Sequence, residues 1–465
     1  MNAENIRYHF QLGQLDACDI AALFCQGSLT PSAFIEVCLA AAERSSNIFI
    51  TLTHERAREE AAASTLRWRQ GRPLSALDGI PVVWKDLFDL AGTRTTAGSA
   101  TRLQVPEASE DAGMVIRLTQ AGMVNMGKTN LSEFAFSGLG INPLFGTPVV
   151  CSRRSTEHVP GGSSSGSACA VSAGLACFAI GTDTAGSIRI PAAFNGVIGY
   201  RASRHRYTDS GVFPLAASLD TLGPLCRSVR DARELDVILC GTTDEAFSTP
   251  RFIADPVLLD SADAAVREKG YRCLALLAAS GFTVDFRPVH SFHRALAWIA
   301  EHGWPGAIEA FRLHADLLNS PAAEKMDPFI RRRLEDSGQL SPSLLDDFLQ
   351  QRSAWQCAMA AELDGAILVT PTVAHVAPLY QPLIADATAF AKTNIATLRL
   401  TMPGSLLDMP GVAFPAGTDT DALYTSLLFS LPAGEDRRLL MAASAVANVL
   451  APRRAAGADF SAVQP

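Results

Sequence analysis

The chain has 465 residues, 48% of them hydrophobic and 18% charged, with a formal net charge of −8. That balance fits a globular chain with a large core, as one large domain or two to three ordinary ones, and excludes a disordered one. There is no long basic run to bind nucleic acid; Arg331–Arg333 is a short triplet inside a helical pattern and reads as a solvated face.

The opening MNAENIRYHFQLGQLDACD lacks a basic-then-apolar leader pattern, and no window approaches the ~18 apolar residues of a membrane span. The ten cysteines show no CxxC pairing, and Cys38, Cys169, Cys177 and Cys273 sit among Ala, Leu and Val. They read as reduced, buried small hydrophobes, so a cytoplasmic location is expected. His290 and His293 are the closest histidine pair, with no ligand set around them; no metal and no cofactor are expected.

Residues 13–75 look helical. LDACDIAALFCQ and FIEVCLAAAERS carry apolar positions at three- and four-residue spacing, with Thr30-Pro31-Ser32 as a start signal, and HERAREEAAASTLRWRQG is a charged helix ending at Gly71. This reading makes residues 1–75 an N-terminal helical segment packed on a core domain, residues 76–450, with a fraying tail, 451–465. An apolar strand, Ile80–Trp84, then runs into Lys85-Asp86. A lysine there either snorkels to solvent or stays buried, and the segment alone leaves both open.

A loop over Gly92–Ser99 and an amphipathic helix ending at Gly122 lead to a strand, MVNMGKT, and to TNLSEFAFSGLG, where Thr129 or Asn130 is expected to cap a helix. Gly122–Thr129 also matches the phosphate-loop pattern G-x-x-x-x-G-K-[ST]. That motif needs a strand before its first glycine and a loop after it; here the order is reversed.

Residues 139–160 are loop-rich. Residues 161–200 read GGSSSGSACAVSAGLACFAIGTDTAGSIRIPAAFNGVIGY: two glycine/serine loops, Gly161–Ser167 and Gly181–Ser187, around a small-residue helix (Ser167–Gly174) and an apolar strand (Leu175–Ile180). A turn over GVFPLAASLDTLGPLCRSVRD, a helix to Leu239 and a polar linker at 241–262 follow. Residues 263–363 are mostly helical with one strand near Thr283–Phe286, and DGAILVTPTV is a buried strand. Apolar strands alternating with helices argue for an α/β sheet with helices on both faces.

Ser187 sits in a turn of minimal bulk, where the backbone N–H groups of Thr184, Ala185, Gly186 and Ser187 can converge on an oxyanion. A serine nucleophile needs a base. No histidine lies in the glycine-rich stretches and no G-x-S-x-G or S-x-x-K surrounds Ser187, which leaves a buried lysine as candidate. Burial favours the neutral amine, and Lys85 suits that role better than Lys128.

Lys85 after its strand, GGSSSGS at 161–167 and GTDTAGSIRIPAAFNG at 181–196 resemble the amidase signature family, with further likeness at KTNLSEFA, SLDTLGPL, VTPT and LLDMPG. The resemblance implies a mixed β-sheet core sandwiched by helices on both faces. It implies a Ser–Ser–Lys triad: Ser187 forms the acyl-enzyme, Ser163 relays the proton after a cis peptide bond, and Lys85 is the base. Asp183 and Arg189 are read as a structural pair. Phe134, Ala135 and Gly162 are substrate-binding candidates, and Phe134, Phe136, Leu139 and Ile141 suggest an apolar wall. The expected partner is a small-molecule amide, with no nucleic acid and no membrane, in a chain compatible with a homodimer.

Three departures stand out. Ala185 replaces a glycine common in the family, Tyr200-Arg201-Ala202-Ser203 replaces an LKPT-like segment, and residues 149–158 are atypical. One alternative is the amidase-like subunit of a tRNA-dependent glutamine amidotransferase; members of that type carry Gln where Ile190 stands and keep the LKPT-like segment. The other is a nucleotide-binding protein using Gly122–Thr129.

Overall fold

The computed structural model describes residues 2–241 and 249–450. Among the described residues thirteen strands are present: β1 Phe49–Leu52, β2 Pro81–Lys85, β3 Val124–Thr129, β4 Val150–Cys151, β5 Glu157–His158, β6 Phe178–Thr182, β7 Ile198–Arg201, β8 Leu222–Cys226, β9 Arg251–Ala254, β10 Thr283–Phe286, β11 Ile367–Pro371, β12 Gly411–Thr418 and β13 Tyr424–Ser430. Eleven form one mixed sheet in the order β1-β3-β2-β6-β8-β7-β12-β13-β11-β9-β10; β4 and β5 make a separate small hairpin.

Alternation along the strands assigns the two cores to opposite faces. Phe252 and Ala254 of β9 join one apolar cluster and Ile253 the other; Ile367 and Val369 of β11 likewise oppose Leu368. The first cluster gathers the N-terminal helices and those at Val229–Cys240, Ala264–Ala279 and Asp436–Leu450. The second gathers residues 131–141 and the helices between His290 and Leu406. Every residue of β2, β3 and β6 is buried, as expected for inner strands covered on both faces. Among the described residues no helix is long and apolar enough to cross a membrane.

Several expectations change. The N-terminal segment is not all helix: β1 follows the helix Pro31–Glu43, which starts at its Thr30 cap, and adds an edge strand antiparallel to β3. Four partly polar residues carried too little periodicity to separate it from the helices around it. The GVFPLAASLDTLGPLCRSVRD stretch is not only a turn, since β8 lies within it and pairs between β6 and β7. The polar 241–262 stretch contains β9 and the helix Pro256–Asp260, with residues 242–248 outside the described residues. The tail 451–465 also lies outside them. Thr129 and Asn130 cap no helix: Thr129 Oγ1 shares a hydrogen bond with Ser167 Oγ at 2.7 Å, and Asn130 Nδ2 donates to the carbonyls of Asn47 and Gly146. Only a 3₁₀ turn, Glu133–Ala135, follows.

The phosphate-loop match does not build a phosphate loop. Gly122 follows the helix Gly113–Gln120 with φ +88°, and Val124–Thr129 is inner strand. Lys128 Nζ is buried, 2.6 Å from Asp86 Oδ1, and donates to the Arg94 carbonyl and Thr95 Oγ1. Lys128→Ala would leave the buried Asp86 carboxylate without its cation. We expect a loss of roughly 3–5 kcal/mol, read as a lower denaturant midpoint, and no thermal shift with Mg-ATP.

Candidate active site

The site stands where parallel strands end together. β2 runs parallel to β3 and β6, with Lys85 opposite Thr129 and Trp84 opposite Ile180. Lys85 therefore emerges at the carboxyl end of β2 beside Thr182 at the carboxyl end of β6, the edge where open α/β sheets place ligands. Lys85 Nζ is buried, 2.6 Å from Ser163 Oγ and 2.7 Å from Thr182 Oγ1. Burial pushes the Lys85 ammonium down to about 7, against Asp220 and Asp183, which pull it up. The open choice between a snorkelling and a buried lysine is resolved for burial.

The Gly162–Ser163 peptide bond is cis. Its flanks are held by backbone bonds to residues 132–140: Gly162 N–H donates to Gly138 O at 2.8 Å, Gly161 N–H to Leu139 O at 3.2 Å, and Ser132 N–H to Ser163 O at 3.1 Å. A Cβ on Gly162 would lie 2.5 Å from Gly140 N, so only glycine fits there. Ser164 N–H donates to the Ser187 carbonyl at 3.2 Å, which brings the two glycine/serine loops side by side. Ser164 and Ser165 hydroxyls donate to the carbonyls of Thr182 and Asn130.

The turn that holds Ser187 is braced from three sides. Asp183 receives Arg189 Nε at 2.9 Å and Nη2 at 2.8 Å, plus the N–H of Ile188 at 3.2 Å. Burial alone would raise the Asp183 carboxyl, but Arg189 and Arg201 overcome it and hold it below the usual carboxylate value. Thr401 Oγ1 donates to the Ala185 carbonyl at 2.6 Å, and Thr184 Oγ1 donates to Asp220 Oδ1 at 2.5 Å. Among the described residues, no protein acceptor takes the backbone N–H groups of Thr184, Ala185, Gly186 and Ser187, whereas the next two, of Ile188 and Arg189, go to Asp183. Backbone N–H donors left free together in one turn are able to stabilise an oxyanion.

Gly186 has φ +142°, and a Cβ there would meet Thr401 Oγ1 at 2.3 Å. Ala185 is outside the positive-φ region, so its methyl fits where the family commonly has glycine. The replaced LKPT-like segment also acquires a meaning: Arg201 is buried with Nε 3.7 Å from Asp183, a second cation on the carboxylate that anchors the turn.

Phe134 and Ala135 adopt left-handed backbone (φ +51° and +58°), and Phe134 N–H donates to the Ala97 carbonyl. The Phe134 ring packs 4.2 Å from His314 and 6.2 Å from Phe213. Burial, with the Arg102 guanidinium that stacks on Phe213 at 4.4 Å, pushes His314 down to about 4, so the imidazole is neutral at neutral pH. Phe136 lies under the Arg333 guanidinium, 4.7 Å from the ring centre. A cavity beside the site is lined by Leu87, Thr182, Phe213, Leu215, Asp220 and Thr221, among others. The roles of Thr182, Asp220, Thr401 and Arg201 escaped the sequence reading; Thr182, in GTDTAGS at the end of an apolar strand, had the only local signal. Asp16, Cys18 and Asp231 also cluster, but Asp231 accepts the N–H groups of Ala17 and Cys18 at a helix start, a structural use.

The Amidase family model matches residues 33–272. The 2-amino-5-chloromuconic acid deaminase of Comamonas testosteroni is 32% identical over 92% of this chain and 94% of that protein. The chain belongs to the amidase family. Another relative is one of the subunits that make up the glutamyl-tRNA(Gln) amidotransferase of Koribacter versatilis, 28% identical over 87% of this chain and 91% of its own. A solved amidase matches with a TM-score of 0.81 at 31% identity, covering 94% of this chain and 100% of its own. As an amidase the protein is a hydrolase acting on carbon–nitrogen bonds, and it shares the mixed-sheet fold of these relatives.

Proposed function

We propose that the protein hydrolyses a linear carboxylic amide through a serine acyl-enzyme, with Ser187 as nucleophile, Ser163 as relay and Lys85 as base. The observation that carries this reading is the 2.6 Å contact between a buried Lys85 amine and Ser163 Oγ, set beside a turn with four free N–H donors. Neutral Lys85 takes the Ser163 proton as Ser163 takes that of Ser187. Ser187 Oγ bonds to the amide carbon, and the carbonyl oxygen becomes an oxyanion held by the N–H groups of 184–187. Ser163 hands a proton to the departing nitrogen, recovered from Lys85, and the carbon–nitrogen bond breaks. Water then adds to the acyl carbon, giving the acid and restoring Ser187. Ammonia or amine release from an amide library tests the reading: Ser163→Ala should fall by about 10²–10⁴-fold, and undiminished release would overturn the relay.

The acyl side favours a substrate that is apolar near the carbonyl and acidic at its far end. Phe134, Phe136 and neutral His314 supply the apolar wall. Half-buried Arg333 stacks on Phe136, burial pushes it down to about 10, and no carboxylate offsets that burial among the described residues. The relative named for an amino acid substrate with acid groups, 2-amino-5-chloromuconic acid, accords with this. Arg333→Met should raise KM about tenfold or more for acid-bearing amides while leaving neutral amides unchanged; equal effects on both classes would remove the acidic preference. The amidotransferase alternative draws on the Koribacter likeness. The free-standing reading is preferred because Ile190 is a buried apolar residue contacting the space at Gly138 and Gly186.

A further inference from the structure

We propose that Asp220 is a positioning residue for this reaction: through the Thr184 hydroxyl it fixes the start of the oxyanion turn, and it lines the same cavity as Thr182, whose hydroxyl accepts from Lys85. The inference rests on the reading above. The turn that carries Asp220 is tied to both halves of the site. Phe213 N–H donates to Leu87 O at 2.7 Å, two residues beyond Lys85, and Asp183 N–H donates to Thr221 O at 2.8 Å, four residues before Ser187. Between those ties, Asp220 Oδ2 receives the N–H groups of Leu215 at 2.8 Å and Ala216 at 3.1 Å, which leaves Oδ1 for Thr184 Oγ1 at 2.5 Å. These three bonds converge on one carboxylate, so Asp220 is locked and Thr184 is locked by it. Leu87, Thr182, Asp220 and Thr221 share one cavity wall.

The same carboxylate acts on the base by its charge. The charged groups facing Lys85 are Asp220 from this turn and Asp183 from the loop after β6, the latter offset by Arg189 and Arg201; neighbouring Asp86 is offset by Lys128. Glu309 stands behind Asp220 and is held by Ser218. Asp220 is thus the one carboxylate acting on Lys85 with no cation paired to it among the described residues. Burial pushes the Asp220 carboxyl up to about 6, so it is charged where Lys85 titrates near 7; that charge favours the ammonium form, and removing it makes Lys85 give up its proton at lower pH.

The test separates the two roles by the rate at which a fluorophosphonate labels Ser187 in the full chain, measured across pH 5–9. In that step Ser187 Oγ bonds to phosphorus, fluoride leaves and the serine proton passes to Lys85, so no amide need be known. Thr184→Val, which keeps the charge, should slow labelling about tenfold to a hundredfold with the acid limb unmoved; Thr184→Ser should restore the wild-type rate. Asp220→Asn should slow labelling and also move the acid limb down by about one pH unit. A Thr184→Val protein labelled at the wild-type rate, or an Asp220→Asn protein whose acid limb stays in place, overturns the inference. If Asp220→Asn does not fold, the Val and Ser variants at Thr184 decide it alone. Wild-type Ser187 that never labels overturns the proposed function itself, and the inference with it.

Discussion

Ser187→Ala will lower amide hydrolysis by roughly 10⁵- to 10⁶-fold, the scale lost when a nucleophile that acts with its base as one unit is removed. Folding should be unaffected. The bonds that shape the turn run through Asp183, Arg189, Thr401, Thr184 and the Ser187 carbonyl, none of which uses the Ser187 hydroxyl. The melting temperature should therefore stay within about a degree or two of the wild type, since no cavity and no unpaired buried charge is created. Turnover above a hundredth of wild type, with folding intact, would mean that another group attacks the carbonyl.

Lys85→Ala should cost about 10²–10⁴-fold in kcat/KM, the range of a lost general base. Its pH signature is more specific. As the proposed base, Lys85 would act only when neutral, so wild-type kcat/KM should fall on the acid side with a midpoint near its value of about 7. The stability effect has the opposite sense. The amine binds a proton more weakly folded (about 7) than unfolded (about 10.4), so between these values the unfolded chain holds the extra proton. The burden of burying Lys85 is full below pH 7 and shrinks as pH rises through that window. Relative to wild type, Lys85→Met should thus be most favoured near or below pH 7, and the gap in denaturant midpoint should narrow towards pH 10. A gap that does not change with pH would show that Lys85 is an ordinary charged lysine in the fold.

The residues proposed to carry the chemistry stand out in the sequence for a physical reason. Lys85 sits at the end of an all-apolar strand, and both serine loops consist of residues so small that they leave the backbone exposed to a ligand. Ser163 and Ser187 could then be assigned through the family resemblance, and the structure brings Lys85 and Ser163 into contact. What surrounds them was not legible. Thr182, Asp220 and Thr401 matter through contacts that span 36 to 216 residues of chain, and nothing local marks a threonine as a brace. Arg201 matters through Asp183, which Arg189 already holds, so its own segment shows no missing partner. The fold shows the same division. Long periodic helices and uniformly apolar strands could be read, but β1, β8 and β9 are four or five residues long and are set by the neighbours they pair with. Lys128 illustrates the hazard of a pattern without its context. The letters of a phosphate loop fold here as an inner strand, and the lysine neutralises Asp86 instead of a phosphate.

In the proposed mechanism Ser187, activated through Ser163 by a neutral Lys85, bonds covalently to the substrate carbonyl. The most direct measurement is the mass of the peptide containing Ser187 after acid quench of the enzyme turning over an amide. An acyl increment on Ser187 that is absent in Ser187→Ala and strongly reduced in Lys85→Ala is the result expected. An acyl group on any other residue, or one that persists in Ser187→Ala, would mean that Ser187 is not the nucleophile.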